Sequence, residues 1–508
     1  MITEPMSPSA GKTALIIGLG ETGAASARWL KRQGFVVRLL DTRTNPPGVQ
    51  ALLADLGPDD VMTHLGQGEP CAELFDGLSL AVISPGLPPE TAPVSDWLTE
   101  LGRLAVPVVG EIELFARALE ALRQTRGYIP KVLGITGTNG KTTVTALTRR
   151  MVQAGGLHAT AAGNISPAAL DALMAALDAD VLPDVWVLEL SSFQLMTTGS
   201  LRLNAATVLN ISQDHLDWHL TMQAYCDAKA RIFKLADIKI VNRDDPVVWG
   251  MVSSLNDLQV RSFGSSSPDY AGDLGLETQQ AIQWLVQSEA TEFEDVARVK
   301  RKKGEPTPVR EHGRLTRLMP AEALALVGQH NVMNVLAASC LARAIGVAWT
   351  PILKAATDYD GEPHRMRFVR TIREVDFYND SKGTNVGATL AGIDGLGRRV
   401  VLIAGGLAKG QDFSPLARAL ARNRGQAVLI GADADLLRVA FEAQGVHTLS
   451  AASMEDAVAR AFDLAQPGDV VVLSPACASF DMFKGYGHRG DVFVDAVTEL
   501  ALSLGEVV

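Results

Sequence analysis

The run VLGITGTNGKTTVTALTRRM, Val132 to Met151, constrains this chain more than any other segment. An apolar stretch leads into a glycine-threonine loop, and a helix-like run follows with Lys141 and Thr142 at its start. That order predicts a buried parallel strand, an anion-binding loop and a helix whose N-terminus faces the anion. Gly137 and Gly140 let the backbone curl so that N–H groups point inward, Lys141 can reach terminal phosphates, and the Thr142 hydroxyl can ligate Mg²⁺. The candidate phosphate set is Gly137, Thr138, Asn139, Gly140, Lys141, Thr142 and Thr143. In the common pattern G-x-x-x-x-G-K-[ST] a glycine would stand at Ile135. Here the nearest is Gly134, so the loop is a variant.

At 508 residues the chain exceeds what one core usually supports, and its length predicts about three domains. A formal net charge of −11 argues against nonspecific nucleic-acid binding as a main activity, so small anionic ligands need local basic sites. Cys71, Cys226, Cys340 and Cys477 are widely spaced without a C-x-x-C pair, which points away from zinc and disulfides and fits a reducing cytoplasm. The start, MITEPMSPSAGK, lacks the basic and apolar runs of a signal peptide, and no apolar stretch is long enough to span a bilayer.

Three α/β segments are expected. Residues 1–127 open with TALIIGLGETGAASARWLKRQGFVVRLLD, where a strand meets Gly18, Gly20 and Gly23, a helix follows, and a second strand closes on Asp41. Residues 128–346 carry the phosphate loop and the β-like runs VWVLEL and AATVLNIS. Between about 265 and 320 the texture turns polar and includes RVKRKKGEPTPVREHGR, read as a solvated hairpin or flexible insertion. Residues 347–508 contain VDFYND, RRVVLIAGG, AVLIG and DVVVLSPA, each followed by helix-like sequence.

Several strand ends carry groups suited to chemistry. Gly18-x-Gly20-x-x-Gly23 with Asp41 fits a nucleotide diphosphate and a ribose, or simply a tight packing turn. A second nucleotide loop on the chain argues against redox chemistry. Glu189 ends VWVLEL, and Asp214-His215 follows the next strand, so oxygen and imidazole donors gather where a metal-nucleotide would bind. Lys229, in YCDAKARIF, reads by itself as an exposed helical lysine. Farther on, the run from Asp380 to Asn385, the loop GGLAKG with Lys409, and SPACASFDMFKGYGHRG form three polar loops at strand ends, suited to a carboxylate or phosphate.

Taken together, GTNGKTT, ELSSFQL, DHLDWH, AKARIF, GQHNVMN, GEPHRMRF and NDSKGTN resemble the motifs of the Mur ligase family, ATP-dependent amide ligases of cell-wall precursor synthesis. The resemblance implies a three-domain architecture with an N-terminal Rossmann-like domain, a central P-loop ATPase-like domain and a C-terminal Rossmann-like domain. Within the family, IIGLGETG, DTRTNPPG, ISPG, VVGEIELF and LSPACASFDMFKGYGHRG match the member that adds D-glutamate to UDP-N-acetylmuramoyl-L-alanine. A DNPR motif, the mark of the diaminopimelate-adding relative, is absent.

By that resemblance Gly20, Glu21, Thr22, Asp41, Thr42, Arg43, Ser84 and Gly86 would hold the uridine substrate, and Asn164 would touch it. Asn331 and Asn334 would approach adenine, and Arg365 and Asp380 would reach the nucleotide. Lys382, Thr384, Lys409, Ser479, Phe480 and Tyr486 would form the D-glutamate site, with Tyr486 replacing a phenylalanine. The implied cofactors are ATP and Mg²⁺ at two sites, one held by Thr142 and Glu189 and the other through His215 and a carbamylated Lys229. Lys141, His215, Lys229 and Lys382 would be the catalytic set. The substrate carboxylate would attack the γ-phosphate of ATP to give an acyl phosphate, which the amine of D-glutamate then opens. The implied state is a cytoplasmic monomer. Rival readings are a folylpolyglutamate-synthase-like ligase, which leaves the N-terminal nucleotide domain unexplained, an ATP-dependent switch protein, and a nicotinamide-dependent reductase.

Overall fold

In the computed structural model, which describes residues 11–57, 61–66, 69–290, 309–326, 328–408 and 410–506, three α/β units follow one another along the chain. The first holds five parallel strands in the spatial order Thr63–Leu65, Val36–Asp41, Thr13–Ile17, Leu78–Ile83, Val108–Val109. The order reverses at Thr13–Ile17, so the glycine loop after that strand lies at a switch point, where such sheets bind ligands.

The central unit has six parallel strands ordered Val260–Phe263, Ala236–Asn242, Leu203–Val208, Lys131–Thr136, Val185–Glu189, Ala159–Gly163. Lys131–Thr136 is the switch-point strand here, and the phosphate loop leaves its carboxyl end. The third unit is a six-stranded sheet ordered Arg367–Ile372, Val375–Asn379, Val470–Leu473, Val400–Gly405, Gln426–Ile430, Thr448–Ser450. Its first strand is antiparallel and the rest are parallel. Runs such as VVLIAG and VVVL are buried along their whole length, as expected of strands covered on both faces.

Two expectations change. The insertion is not merely a solvated hairpin. Leu274–Gln279, Ile282–Glu289 and Arg314–Pro320 pair as a three-stranded antiparallel sheet, and its inward residues Leu274, Leu276, Leu285 and Met319 join the central core. Arg310 is buried on Asp273 at 2.6 Å beneath that sheet. The basic run near 300 lies outside the described residues. The helix Trp349–Thr357, placed by sequence in the third segment, packs instead on the central helix Lys141–Ala154, and its Ile352, Ala355 and Ala356 belong to the central core.

The helix Glu111–Arg126 connects the first unit to the second, and one apolar cluster runs through both, from Ile16 and Leu30 past Phe115 to Trp186 and Leu188. Among the described residues no helix is long and apolar enough to cross a membrane.

Candidate active site

The phosphate loop owes its shape to glycine and to the strand beside it. Gly140, at φ 83°, caps the helix Lys141–Ala154, and a Cβ there would lie 2.5 Å from Asn334 Oδ1. A side chain would therefore clash as well as strain the turn. Thr138 N–H donates to Asn210 O, and the Thr138 hydroxyl lies 3.0 Å from the Tyr225 hydroxyl. Asn139 N–H donates to Asn210 Oδ1 at 2.8 Å, and Asn210 Nδ2 returns a bond to Asn139 O at 3.1 Å. Asn210, Tyr225 and Ser212, whose N–H donates to the Thr138 hydroxyl at 3.0 Å, thus hold the loop, although no motif logic singled them out.

Two ammonium groups share one carbonyl. Lys141 Nζ donates to Gly137 O at 2.8 Å and to Thr138 O at 2.9 Å, while Lys229 Nζ donates to Gly137 O at 2.9 Å. Lys229 is 2% exposed, which corrects its reading as a surface lysine. The helix Met222–Ala230 turns it inward over the Tyr225 ring, 4.6 Å from the centroid. Burial drives its pKa well below the ordinary lysine value, and the neighbouring Lys141 pushes the same way against Asp214 and Glu189. Burial lowers Lys141 too, although Glu189 and Asp214 favour its charge. Two depressed lysines on one oxygen make a site short of negative charge, which suits a polyphosphate.

Glu189 ends its strand buried, and Asn164 Nδ2 donates to its Oε1 at 2.9 Å. Its Oε2 is buried without a hydrogen-bond partner, an orphaned anionic atom of the kind a cation satisfies. The following SSFQ forms a capping box, with Gln194 N–H donating to Ser191 Oγ and Ser191 N–H donating to Gln194 Oε1. That box fixes the exit of the Glu189 strand. His215, at φ 55°, starts the short helix Leu216–His219 with Nε2 3.6 Å from Asp214 Oδ2 and its ring edge-on to Phe193. Among the described residues no three His, Cys, Asp or Glu side chains converge on one point. A hard cation here would depend on Thr142, on single carboxylates and on substrate oxygens, the mode usual for Mg²⁺.

A cavity of about 360 Å³ separates the central and third units. Asn139, Gly140, Thr143, Asn331, Asn334 and His330 line it from one side, and Arg365, Asp380 and Lys382 from the other. Asn334 Nδ2 donates to Asn331 Oδ1 at 3.2 Å, and Arg365 Nη2 donates across the gap to Thr142 Oγ1 at 2.7 Å. Asp380 accepts from Ser474 Oγ and from Met366 N–H, and burial pushes its pKa up to about 7 against those bonds and the Arg365 charge. Lys382 lies with Nζ 3.5 Å from the Tyr486 ring centroid. Burial and then Arg365 lower its pKa to about 8.

Around Lys382 the three polar loops of the third unit meet. Gly383 O accepts from Ala476 N–H, Ser381 Oγ donates to Tyr486 O, and Leu407 pairs with Ala478. Thr384 N–H donates to Lys382 O, Ser479 is buried, and Phe480 is 73% exposed at the rim. Lys409 lies outside the described residues.

In the first unit the predicted set gathers at the carboxyl edge of its sheet, with Gly20, Glu21 and Thr22 opening the helix Glu21–Arg32 and Gly86 exposed nearby. Asp41 is buried and turned toward its own loop. Leu19 N–H and Arg43 Nη2 donate to Oδ2, and Arg43 N–H and Nε donate to Oδ1. Burial alone would raise its pKa, but the bonds from Arg43 and Leu19 hold it below the ordinary value. Asp41 therefore shapes the glycine loop and aims the half-exposed Arg43 past partly buried Thr42. Ser84 Oγ donates to Gly18 O at 2.6 Å and braces the same loop.

Three family profiles match successive parts of the chain. They are the Mur ligase MurD-like N-terminal domain over 12–105, the Mur ligase middle domain over 135–342, and the Mur ligase glutamate ligase domain over 364–477. A UDP-N-acetylmuramoylalanine–D-glutamate ligase of Bordetella parapertussis is 56% identical over 508 residues, 100% of both chains. Its counterpart in Ralstonia nicotianae is 50% identical over 97% of each. Among solved structures, the UDP-N-acetylmuramate-alanine ligase of Thermotoga maritima is 16% identical with a TM-score of 0.55, covering 96% of this chain and 99% of its own. A folylpolyglutamate synthase of Mycobacterium tuberculosis, 17% identical with a TM-score of 0.53, covers 75% of this chain and 95% of its own. At that identity both show a shared fold.

Proposed function

The chain belongs to the Mur ligase family, and from that premise we propose that it joins D-glutamate to UDP-N-acetylmuramoyl-L-alanine, with cleavage of ATP to ADP and phosphate, in peptidoglycan precursor synthesis. Full-length identity to ligases bearing that name supports the substrates over the folate-type and switch alternatives. The observation that carries the mechanism is a single cavity with the phosphate loop on one wall and Arg365, Asp380 and Lys382 on the other.

In this reading the first unit holds the uridine diphosphate end through the Gly20–Thr22 loop and Arg43, with Asp41 and Ser84 setting their shape. The alanyl carboxylate then points past Asn164 toward the phosphate loop. It attacks the γ-phosphorus, the bond to the β-phosphate oxygen breaks, and ADP leaves an acyl phosphate. Lys141 and Arg365 offset the repulsion between the two anions, the largest contribution expected in such a transfer. Asn331 and Asn334 receive the base. Lys382, with Thr384 and Ser479, faces the carboxylates of D-glutamate beside Phe480 and Tyr486, and Lys409 is assigned to the same site by the resemblance alone. The free amine attacks the acyl carbon, phosphate departs with the bonding pair, and the amine proton passes to solvent or phosphate.

Mg²⁺ would be held by Thr142 and Glu189, with a second ion through His215 and Lys229, and would supply charge neutralisation of the phosphoryl oxygens. A neutral, buried Lys229 amine is a nucleophile for CO₂, and its carbamate would turn a repelled ammonium into an oxygen ligand.

The test is phosphate release from ATP and Mg²⁺ with UDP-N-acetylmuramoyl-L-alanine, comparing D-glutamate, L-glutamate and diaminopimelate. Release that needs both the uridine substrate and D-glutamate is expected. Release independent of either would overturn the ligase reading in favour of a nucleotide switch.

A further inference from the structure

We propose that Asn385 is a positioning residue, a single carboxamide that latches the third unit onto the phosphate loop and holds both ends of the reaction in register. The proposal rests on the ligase reading above and adds a residue to which that reading gives no role.

Asn385 is 5% exposed and caps the helix Val386–Asp394, its Oδ1 accepting Ala388 N–H at 2.8 Å. Because the cap needs the oxygen on the helix side, the NH₂ group must face away, toward the central unit. There Nδ2 donates to Asn139 Oδ1 at 3.1 Å and to Asp214 Oδ2 at 3.3 Å. Both acceptors are themselves fixed. Asn139 has its main chain gripped by Asn210, and Asp214 Oδ1 accepts His215 N–H at 3.0 Å.

One side chain therefore joins the phosphate loop, the Asp214-His215 pair and the third unit. On its own loop, Lys382 and Thr384 lie three and one residues upstream. Displacing Asn385 displaces them from a substrate that must meet the acyl carbon. A shift of about 1 Å in such a group can cost on the order of a hundredfold in rate.

The helix behind Asn385 also sits flush on the central unit. A Cβ at Gly387 would lie 2.9 Å from Ser212 Oγ and 3.3 Å from Asn139 Nδ2. A branched side chain there would wedge this seam and press on the latch itself, since the same Cβ would lie 3.5 Å from Asn385 Oδ1.

A plain helix cap and a latch are separable. Asn385→Ser keeps a good N-cap but is too short to reach Asn139 or Asp214. In the full-length protein we expect N385S to unfold at the wild-type temperature, to lower kcat about thirtyfold and to raise KM for D-glutamate about tenfold, with a smaller change in KM for ATP. Gly387→Val should move kcat and the D-glutamate KM in the same direction. Small-angle scattering with a nonhydrolysable ATP analogue and UDP-N-acetylmuramoyl-L-alanine should show less compaction for both variants than for wild type. An N385S enzyme with kinetic constants and compaction within twofold of wild type would overturn the latch. So would a loss explained wholly by a lowered unfolding temperature. Wild-type protein that shows no D-glutamate-dependent turnover would instead overturn the ligase reading, and the scattering comparison would still decide the latch.

Discussion

Where the first unit meets the second, Phe115 packs edge-on to Trp186 with centroids 5.1 Å apart, and one buried apolar cluster continues through both. Around it Glu113 accepts the N–H groups of Gly199 and Ser200 and the Ser200 hydroxyl, Glu111 accepts Leu170 N–H, and Arg28 forks onto Asp171. Where the second unit meets the third, the bonds among the described residues include Arg365 to Thr142, Asn385 to Asn139 and Asp214, and His330 to the Ala391 backbone. The two apolar clusters of the third sheet, one around Leu402 and the other around Val401, draw their buried residues from the third unit. Water can replace polar bonds at modest net cost, but it cannot replace a shared apolar core. The first seam is thus the harder to open, and the proposed reaction would place opening and closing at the second. In the proposed reaction this contrast would keep the substrate carboxylate in a fixed relation to the phosphate loop and leave the amino-acid site as the part that moves.

Four substitutions would break or sharpen that contrast. Arg365→Ala should have the largest effect, lowering kcat/KM by about 10²–10³ while the unfolding temperature stays near wild type. Steady-state kinetics beside a thermal melt would check it, and a large loss of stability would mean that the second seam also carries the fold. At the first seam, Glu113→Ala should cost about 2–3 kcal/mol in urea unfolding, because it strands three donors and Arg117. Turnover per folded molecule should change less than twofold.

Glu111 should give a pH signature. Burial pushes its carboxyl up to about 8 from an ordinary 4.5, although the N–H groups of Leu170 and Ala169 favour the anion. A folded-state value above the unfolded one means that the contribution is fully present below about 4.5 and is lost as pH rises through about 8. Stability should therefore fall across that window, and Glu111→Gln should flatten the fall by about 1 kcal/mol per pH unit. Unfolding curves at pH 5, 6, 7 and 8 would reveal parallel slopes if the carboxyl were ionised throughout. The smallest effect belongs to Arg28→Ala. Its pair with Asp171 is about one-third exposed, so the loss should be no more than about 1 kcal/mol. Combining it with Glu113→Ala in a double-mutant cycle would show whether the first seam acts as one unit.

The phosphate loop was legible because its cues are local. The strand Lys131–Thr136 and the helix Lys141–Ala154 fall where glycine spacing and apolar runs place them. The same holds for the glycine loop before Asp41. Lys229 was legible only through the family resemblance, not from its own segment. Its burial comes from Gly137 O, 92 residues away in sequence, and nothing in YCDAKARIF marks that face as the inward one. Asp41 keeps its predicted place but turns to Leu19 and Arg43, since a carboxylate at 2% exposure is committed to whichever donors reach it first. The insertion strands do carry a period-two signal in LGLETQ and IQWLVQSE, which the neighbouring basic run obscured.

By itself the sequence determined the three α/β units, the family and the order of its motifs along the chain, because glycine turns, apolar periodicity and short polar motifs act within a few residues of themselves. Only the tertiary structure decided which seam is apolar and which is polar, that Lys141 and Lys229 share one carbonyl, and that Trp349–Thr357 belongs to the central core. Those outcomes depend on which surfaces are desolvated together, and desolvation is a property of the packed whole rather than of any segment.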